Sequence, residues 1–267
     1  MISKWLAGFG GKPPVAATTT PAGGAIGYTG PGIHVVSATR LTETAFWGDS
    51  LLGVSLRRID SLVPIKHSIA FQNRAGLPAV YNAALAAMGQ DDIAVFVHDD
   101  VAIYDFHLPH RLAEGLQAFD VIGPAGHAAP LADHCGWLHR LPAGAEKPVA
   151  EDEDSTHGLS GCVNHLMADR ELLSRYGPSP RRTALLDGLF LAAPVATLRR
   201  HEIRFDERFD FHFYDLDFCR SCLDHGLRLG TWPIALGHAS TGGFDSPAWN
   251  SGLAAYRAKW GITAPGL

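Results

Sequence analysis

Apolar runs of strand length alternate with amphipathic stretches of helical period over the first half of this chain. His34 Val35 Val36 Ser37 Ala38 predicts a buried strand. After Thr39 and Arg40 a helix is expected, with Phe46, Leu51, Leu52, Val54 and Leu56 packing on a sheet. Ser68 Ile69 Ala70 Phe71 predicts a second short strand. Leu77 Pro78 opens another helix, with proline in the first turn, where its missing N–H is no loss. Val80, Ala84, Leu85 and Met88 form the apolar face of that helix. Ile93 to Val97 is apolar throughout, as a central parallel strand covered on both faces requires. Leu108, Leu112, Leu116 and Phe119 make one more helical stripe, and Val121 Ile122 Gly123 a further strand.

Strands alternating with helices predict a doubly wound α/β half, a central and mostly parallel sheet flanked by helices. From His127 to Arg182 the periodicity weakens. That stretch contains an acidic run, Glu151 Asp152 Glu153 Asp154, and an expected helix from Asn164 to Arg175, and it reads as an inserted, partly mobile segment. Leu185 to Ala192 predicts a strand, Asp215 to His225 a helix closed by Gly226, and Leu227 to Gly237 more strand. Lys12 to Gly32 is rich in Pro, Gly, Ala and Thr without period. Residues 1–32 are therefore expected to be a flexible leader and 33–267 a single folded domain.

Composition narrows the function classes. The 267 residues are 46% hydrophobic and 18% charged, enough for a sizeable core. With 22 Lys+Arg against 27 Asp+Glu the formal charge is -5, so no basic excess exists to neutralise a phosphate backbone, and a nucleic-acid partner is not expected. The apolar runs are too short to span a bilayer, and the first residues lack a signal-peptide pattern, which predicts a cytoplasmic chain. Trp5 Leu6 Ala7 Gly8 Phe9 is a short segment that could lie on a membrane surface. Of four cysteines only Cys219 and Cys222 form a CxxC. With Leu216 and Leu223 they share one helix face, so buried thiols are the stronger reading than a redox or zinc pair.

In an open α/β sheet, ligands bind beyond the carboxyl ends of the strands. Thr39 Arg40, Gln72 Asn73 Arg74 and His98 Asp99 Asp100 all sit at such ends. From that position Thr39, Arg40 and Asn73 are expected to contact a nucleotide. Carboxylates after an apolar strand are costly to bury unless paired or bound to a cation, and a divalent metal with a diphosphate would resolve that cost. His238 follows another apolar strand and stands before Ala239 Ser240 Thr241 Gly242 Gly243, expected to be a mobile loop. Asp215 and Asp217 both fall in a helix first turn, where carboxylates suit the unpaired N–H groups. At about 100° per residue they diverge by roughly 200°, so they cannot both address one point.

The ordered set His98 Asp99 Asp100 Val101, Leu186 Asp187 Gly188 Leu189 Phe190 Leu191, Phe205 Asp206 Glu207, Phe211 His212 Phe213 Tyr214 Asp215 Leu216 Asp217, Pro233, His238 and Lys259 Trp260 Gly261 resembles glycosyltransferases of the GT-A fold. Within the broad family 2 group it is similar to the branch with His-x-Asp in place of Asp-x-Asp, and the match runs from about Ile33 to Gly261. The resemblance implies a divalent metal, Mn2+ or Mg2+, held by Asp100, His238 and His98, with Asp99 touching the ribose. It makes Asp215 the base that takes the acceptor proton. Asp187, Gly188, His212 and Trp137 then fall on the substrate side, and Asp217 falls there too or helps hold the helix or a cation. The implied partners are a nucleoside-diphosphate sugar and a glycan or lipid-linked acceptor at the inner membrane face, and direct displacement would invert the anomeric centre. Tyr214 stands where the wider pattern has Glu. A metal-dependent phosphoesterase and a non-catalytic sugar-nucleotide or glycan-binding module are the alternatives.

Overall fold

The computed structural model describes residues 28, 30–60, 63, 65–129, 133–142, 145, 147–150, 158–239 and 243–262. Most of the expected leader, with Trp5 to Phe9, lies outside them, as do Glu151 to Asp154 and Ser240 to Gly242.

The chain runs β1 (Ile33–Ala38), α1 (Glu43–Asp49), α2 (Leu51–Asp60), β2 (Ile65–Ala70), α3 (Leu77–Ala87), β3 (Ile93–Val97) and β4 (Val101–Ile103). It continues through α4 (Leu108–Ala118), β5 (Val121–Gly123), β6 (Ala125–His127), β7 (His139–Arg140), β8 (Val149–Ala150), β9 (Leu159–Leu166), β10 (Glu171–Gly177) and β11 (Arg181–Thr183). The last part holds β12 (Leu185–Leu186), β13 (Phe190–Pro194), α5 (Val195–Arg200), α6 (Tyr214–Asp224), β14 (Leu229–Thr231), β15 (Leu236–His238) and α7 (Pro247–Trp260).

The expected α/β class is the one found. A central sheet has the order β11-β14-β5-β13-β3-β1-β2. In it β1, β2, β3, β5 and β14 point one way, while β13 and β11 run against them. Every residue of β3 is buried, as its unbroken apolar run requires. A second sheet has the order β12-β6-β9-β15-β4, with β10 on β9. The chain passes from the first sheet to the second after β3, β5, β11 and β14, and it returns after β4, β10 and β12. Those crossings form a seam, and the polar residues of interest lie on it.

Several expected elements change form. The helix after Arg40 is two helices, because Ser50 ends α1 and starts α2: its Oγ donates to Phe46 O at 2.8 Å and accepts from Gly53 N at 2.9 Å. The helix expected from Asn164 to Arg175 is instead the β9–β10 hairpin, with Asn164 opposite Leu173 and Cys162 opposite Arg175. Pairing of β9 with β6, β10 and β15 outweighs the helical spacing of its leucines. The described parts of 127–182 thus belong largely to the second sheet rather than to a loose insertion. The strand expected from Leu185 to Ala192 is broken at Asp187 to Leu189, and the one from Leu227 to Gly237 is split between the two sheets.

Beneath the seam lies an aromatic cluster. Phe205 stacks on Phe218 with centroids 4.4 Å apart and meets Phe96 edge-on at 4.8 Å, and Tyr81 meets Phe96 at 4.9 Å. Truncating one such buried ring costs about 3–5 kcal/mol. Tyr214 belongs to the same cluster, so the start of α6 is tied to the core. Cys219 and Cys222 are buried and unbridged, as their helix face predicts.

Candidate functional site

Ending β3 at Val97 leaves His98, Asp99 and Asp100 in the turn into β4, and β15 pairs antiparallel to β4 with His238 opposite Val101. That register brings His238 beside Asp100. Their Nε2 and Oδ1 atoms are buried and face each other at 3.4 Å, an ion pair when the imidazole is protonated, and among the described residues neither atom has another partner. With His98 they form a group whose ligand atoms lie within 4.8 Å of one another, a group of metal-holding type found among the described residues. A buried carboxylate and imidazole at this spacing, each with only the other as partner among the described residues, could also be bridged by a cation. The donor set of two imidazoles and a carboxylate suits a first-row divalent ion such as manganese, and the three residues fit that group.

Electrostatics binds the group together. Burial holds the His98 imidazole below its ordinary pKa. Burial also disfavours charge on Asp100 and His238, but each outweighs that for the other, so Asp100 is held below the usual carboxylate value and His238 above the usual imidazole value. His98 is fixed by three contacts. Its Nε2 lies 2.8 Å from the Tyr214 hydroxyl, its backbone N–H donates to Leu189 O at 3.1 Å, and Phe211 stacks on its ring at 5.6 Å.

Across the seam, the Asp187–Leu189 turn meets the start of α6. Gly188 N donates to Asp215 Oδ2 at 3.1 Å, and the Tyr214 hydroxyl donates to Gly188 O at 2.8 Å. A Cβ on Gly188 would stand 2.8 Å from Asp215 Cβ and collide with the Tyr214 hydroxyl, so the approach requires glycine. Phe213, which precedes α6, has φ 68, a left-handed conformation unfavourable for a bulky side chain. Its ring is buried and stacks on Tyr256 at 5.6 Å, and that packing holds the backbone turn that aims Tyr214 and Asp215 at Gly188. Burial, then the Asp187 carboxylate, pushes the Asp215 pKa up to about 7. Asp187 itself accepts from Leu189 N at 3.0 Å.

The other expected site residues divide. The Thr39 hydroxyl is buried against Asp99, whose pKa is raised by burial, so these two lie together at the ends of β1 and β3. Loops 39–41 and 72–73 are knit by Asn73 N to Thr39 O at 2.8 Å and Gln72 N to Leu41 O at 2.9 Å. Asn73 spends its amide on Ala75, giving and accepting one bond, and Arg40 is exposed. His212 is half-buried beside Phe211, with its pKa lowered by burial. Trp137 is buried edge-on against Tyr176 at 4.8 Å.

Asp217 is wholly buried, 2.7 Å from Lys259 Nζ and accepting from Trp260 Nε1 at 2.9 Å, so it clasps α7 to α6, the helix-holding alternative rather than the substrate one. Sequence reasoning missed His165, Tyr176 and His139. His165 pairs with His238 across β9 and β15, and Tyr176 lies 2.9 Å from its Nε2. Burial lowers the pKa of His139, with Asp187 acting against it. Neither histidine sits in a motif, and only strand register shows where they stand.

No protein-family model and no curated protein sequence matches this chain. Among solved structures it is similar to A197 from STIV, at 12% identity and TM-score 0.44, over 78% of this chain and 86% of that one. It is also similar to GalNAc-T7 solved with UDP, GalNAc and Mn2+, at 12% identity and TM-score 0.45, over 79% of this chain and 44% of that chain.

Proposed function

We propose that residues 33–267 form a single GT-A glycosyltransferase domain that moves a sugar from a nucleoside diphosphate to an acceptor hydroxyl with the help of a divalent cation. The observation that carries this reading is one helix start serving two sites. Tyr214 touches His98 of the metal-type group, and its neighbour Asp215, a carboxylate with pKa near 7, is fixed on Gly188. His98, Asp100 and His238 would hold the ion, which when bound neutralises charge developing on a diphosphate leaving group. Asp215 would take the proton from the acceptor hydroxyl, a task suited to a base that titrates near neutrality. Attack from the Asp215 side opposite the leaving group inverts the anomeric centre. Thr39 and Asp99, bonded at the ends of β1 and β3, are the nucleotide side of this reading, with exposed Arg40 and the Asn73 turn beside them. Asp187, Gly188, His212 and Trp137 are its acceptor side. The acceptor is a glycan or a lipid-linked glycan. No helix among the described residues is long and apolar enough to cross a membrane. In this reading a lipid-linked acceptor would be met at the inner face of the membrane.

The test is nucleoside diphosphate release from UDP-, GDP- and dTDP-sugars with manganese, magnesium or chelator, on the wild type, Asp100→Ala and Asp215→Asn. Metal-dependent release from one donor, weakened in both variants, supports the reading. Metal-linked donor binding without release, lost in Asp100→Ala and unchanged in Asp215→Asn, would point to a binding module instead. No donor binding at all, with phosphate freed from simple esters, would point to a phosphoesterase.

A further inference from the structure

The Tyr214 hydroxyl has Gly188 O and His98 Nε2 at 2.8 Å, with the Tyr81 hydroxyl also beside it, and a single proton to give. A carbonyl oxygen only accepts. If the proton goes to Gly188 O, the hydroxyl oxygen must accept from His98, and Nε2 carries hydrogen. If the proton goes to Nε2, the buried Gly188 carbonyl loses the donor that the described residues supply to it. Leaving a buried acceptor unmet disfavours that arrangement by roughly tenfold to a hundredfold.

We propose that Tyr214 is a positioning residue that holds His98 as the tautomer protonated at Nε2, so that Nδ1 is the nitrogen with a lone pair to offer a cation. The tautomer stands on the hydrogen bonds alone; the cation rests on the metal-site reading above. Three features keep the arrangement rigid. Tyr214 is 2% exposed and wedged among Tyr81 and Phe205, so its hydroxyl has little freedom. Phe211 covers one face of the His98 ring. Gly188 is itself tied to Asp215 through its N–H. A partner on the far nitrogen of a ligating histidine sets both ring orientation and tautomer, and its loss typically weakens metal binding by about 10- to 100-fold.

The experiment is long-range 15N–1H correlation of histidine-labelled, metal-free full-length chain at pH 8, with His98 assigned by its absence in His98→Ala. The expected wild-type pattern is a protonated Nε2 and a bare Nδ1. In Tyr214→Phe, which keeps the ring and its packing, the two tautomers should mix, and manganese affinity read by electron paramagnetic resonance should fall about 10- to 100-fold. A wild-type His98 protonated at Nδ1, or a Tyr214→Phe spectrum with the wild-type tautomer unmixed, overturns the proposal. So does manganese binding that Tyr214→Phe leaves unchanged while Asp100→Ala abolishes it. The wild-type spectrum needs no variant to fold. If it shows the expected tautomer but the chain binds no manganese, the metal reading fails and the role of Tyr214 on His98 stands.

Discussion

Oδ1 of Asp100 and Nε2 of His238 are buried and face each other at 3.4 Å, and among the described residues neither has another partner. Asp100 lies in the turn between β3 and β4 and His238 ends β15, and the β4–β15 register makes them neighbours. An ion between them would stabilise the folded chain by mass action, about 2.7 kcal/mol at a hundredfold excess over its dissociation constant. Manganese should therefore raise the thermal midpoint of the wild type and leave that of Asp100→Ala unmoved. Equal shifts in both would place the ion elsewhere.

Asp215 makes a prediction about pH. With a folded pKa near 7, as a base it is active only when ionised, so turnover should fall about tenfold per unit below that value. Asp215→Asn keeps an oxygen for Gly188 N–H but cannot take a proton, and should lose about 10²- to 10⁴-fold in kcat. A pH–rate profile that is flat from 5 to 8 would count against the assignment.

The same shift has a consequence for stability. An acid whose pKa is raised in the fold, from an unfolded value of about 3.9, contributes its full share below that value. The contribution is lost as pH climbs toward the folded pKa. Asp215→Asn should thus gain on the wild type in urea denaturation as pH rises from about 4 to 7, with a constant margin above that. The opposite trend would mean that Asp215 is ionised in the fold throughout.

Gly188 admits no side chain without moving Tyr214 or Asp215. Gly188→Ala should still fold, since the shift is confined to one turn and one helix start. It should lose on the order of 100-fold in activity, the scale of a misplacement of about 1 Å at a reacting group. Circular dichroism and kcat together check this. Wild-type activity would show that the turn yields freely.

Lys259 bridges Asp206 at 2.8 Å and the wholly buried Asp217 at 2.7 Å. Removing it strands a buried carboxylate, which costs about 3–5 kcal/mol. Lys259→Met should show that loss in urea, and adding Asp217→Asn should recover part of it, because the neutral amide needs no counter-charge. A loss under 1 kcal/mol would mean that the pair is worth no more than an exposed one.

Local pattern alone determined much of the scaffold. The apolar run Ile93 to Val97 could only be a fully covered strand, and the spacings of Leu77 to Met88 and Leu108 to Phe119 could only bury one face as helices. The same pattern placed Thr39, His98, Asp99 and Asp100 at strand ends, because polar residues directly after a buried strand must leave the sheet. It failed at 164–175, where helical spacing of apolar residues was overruled by strand pairing, in part with strands far away in sequence. Only the tertiary structure could set His238 against Asp100, fix the Tyr214 hydroxyl between Gly188 and His98, and turn Asp217 inward to Lys259. Each of those facts depends on register between distant strands or on the rotation of one helix, and neither quantity is written in the spacing of residues along the chain.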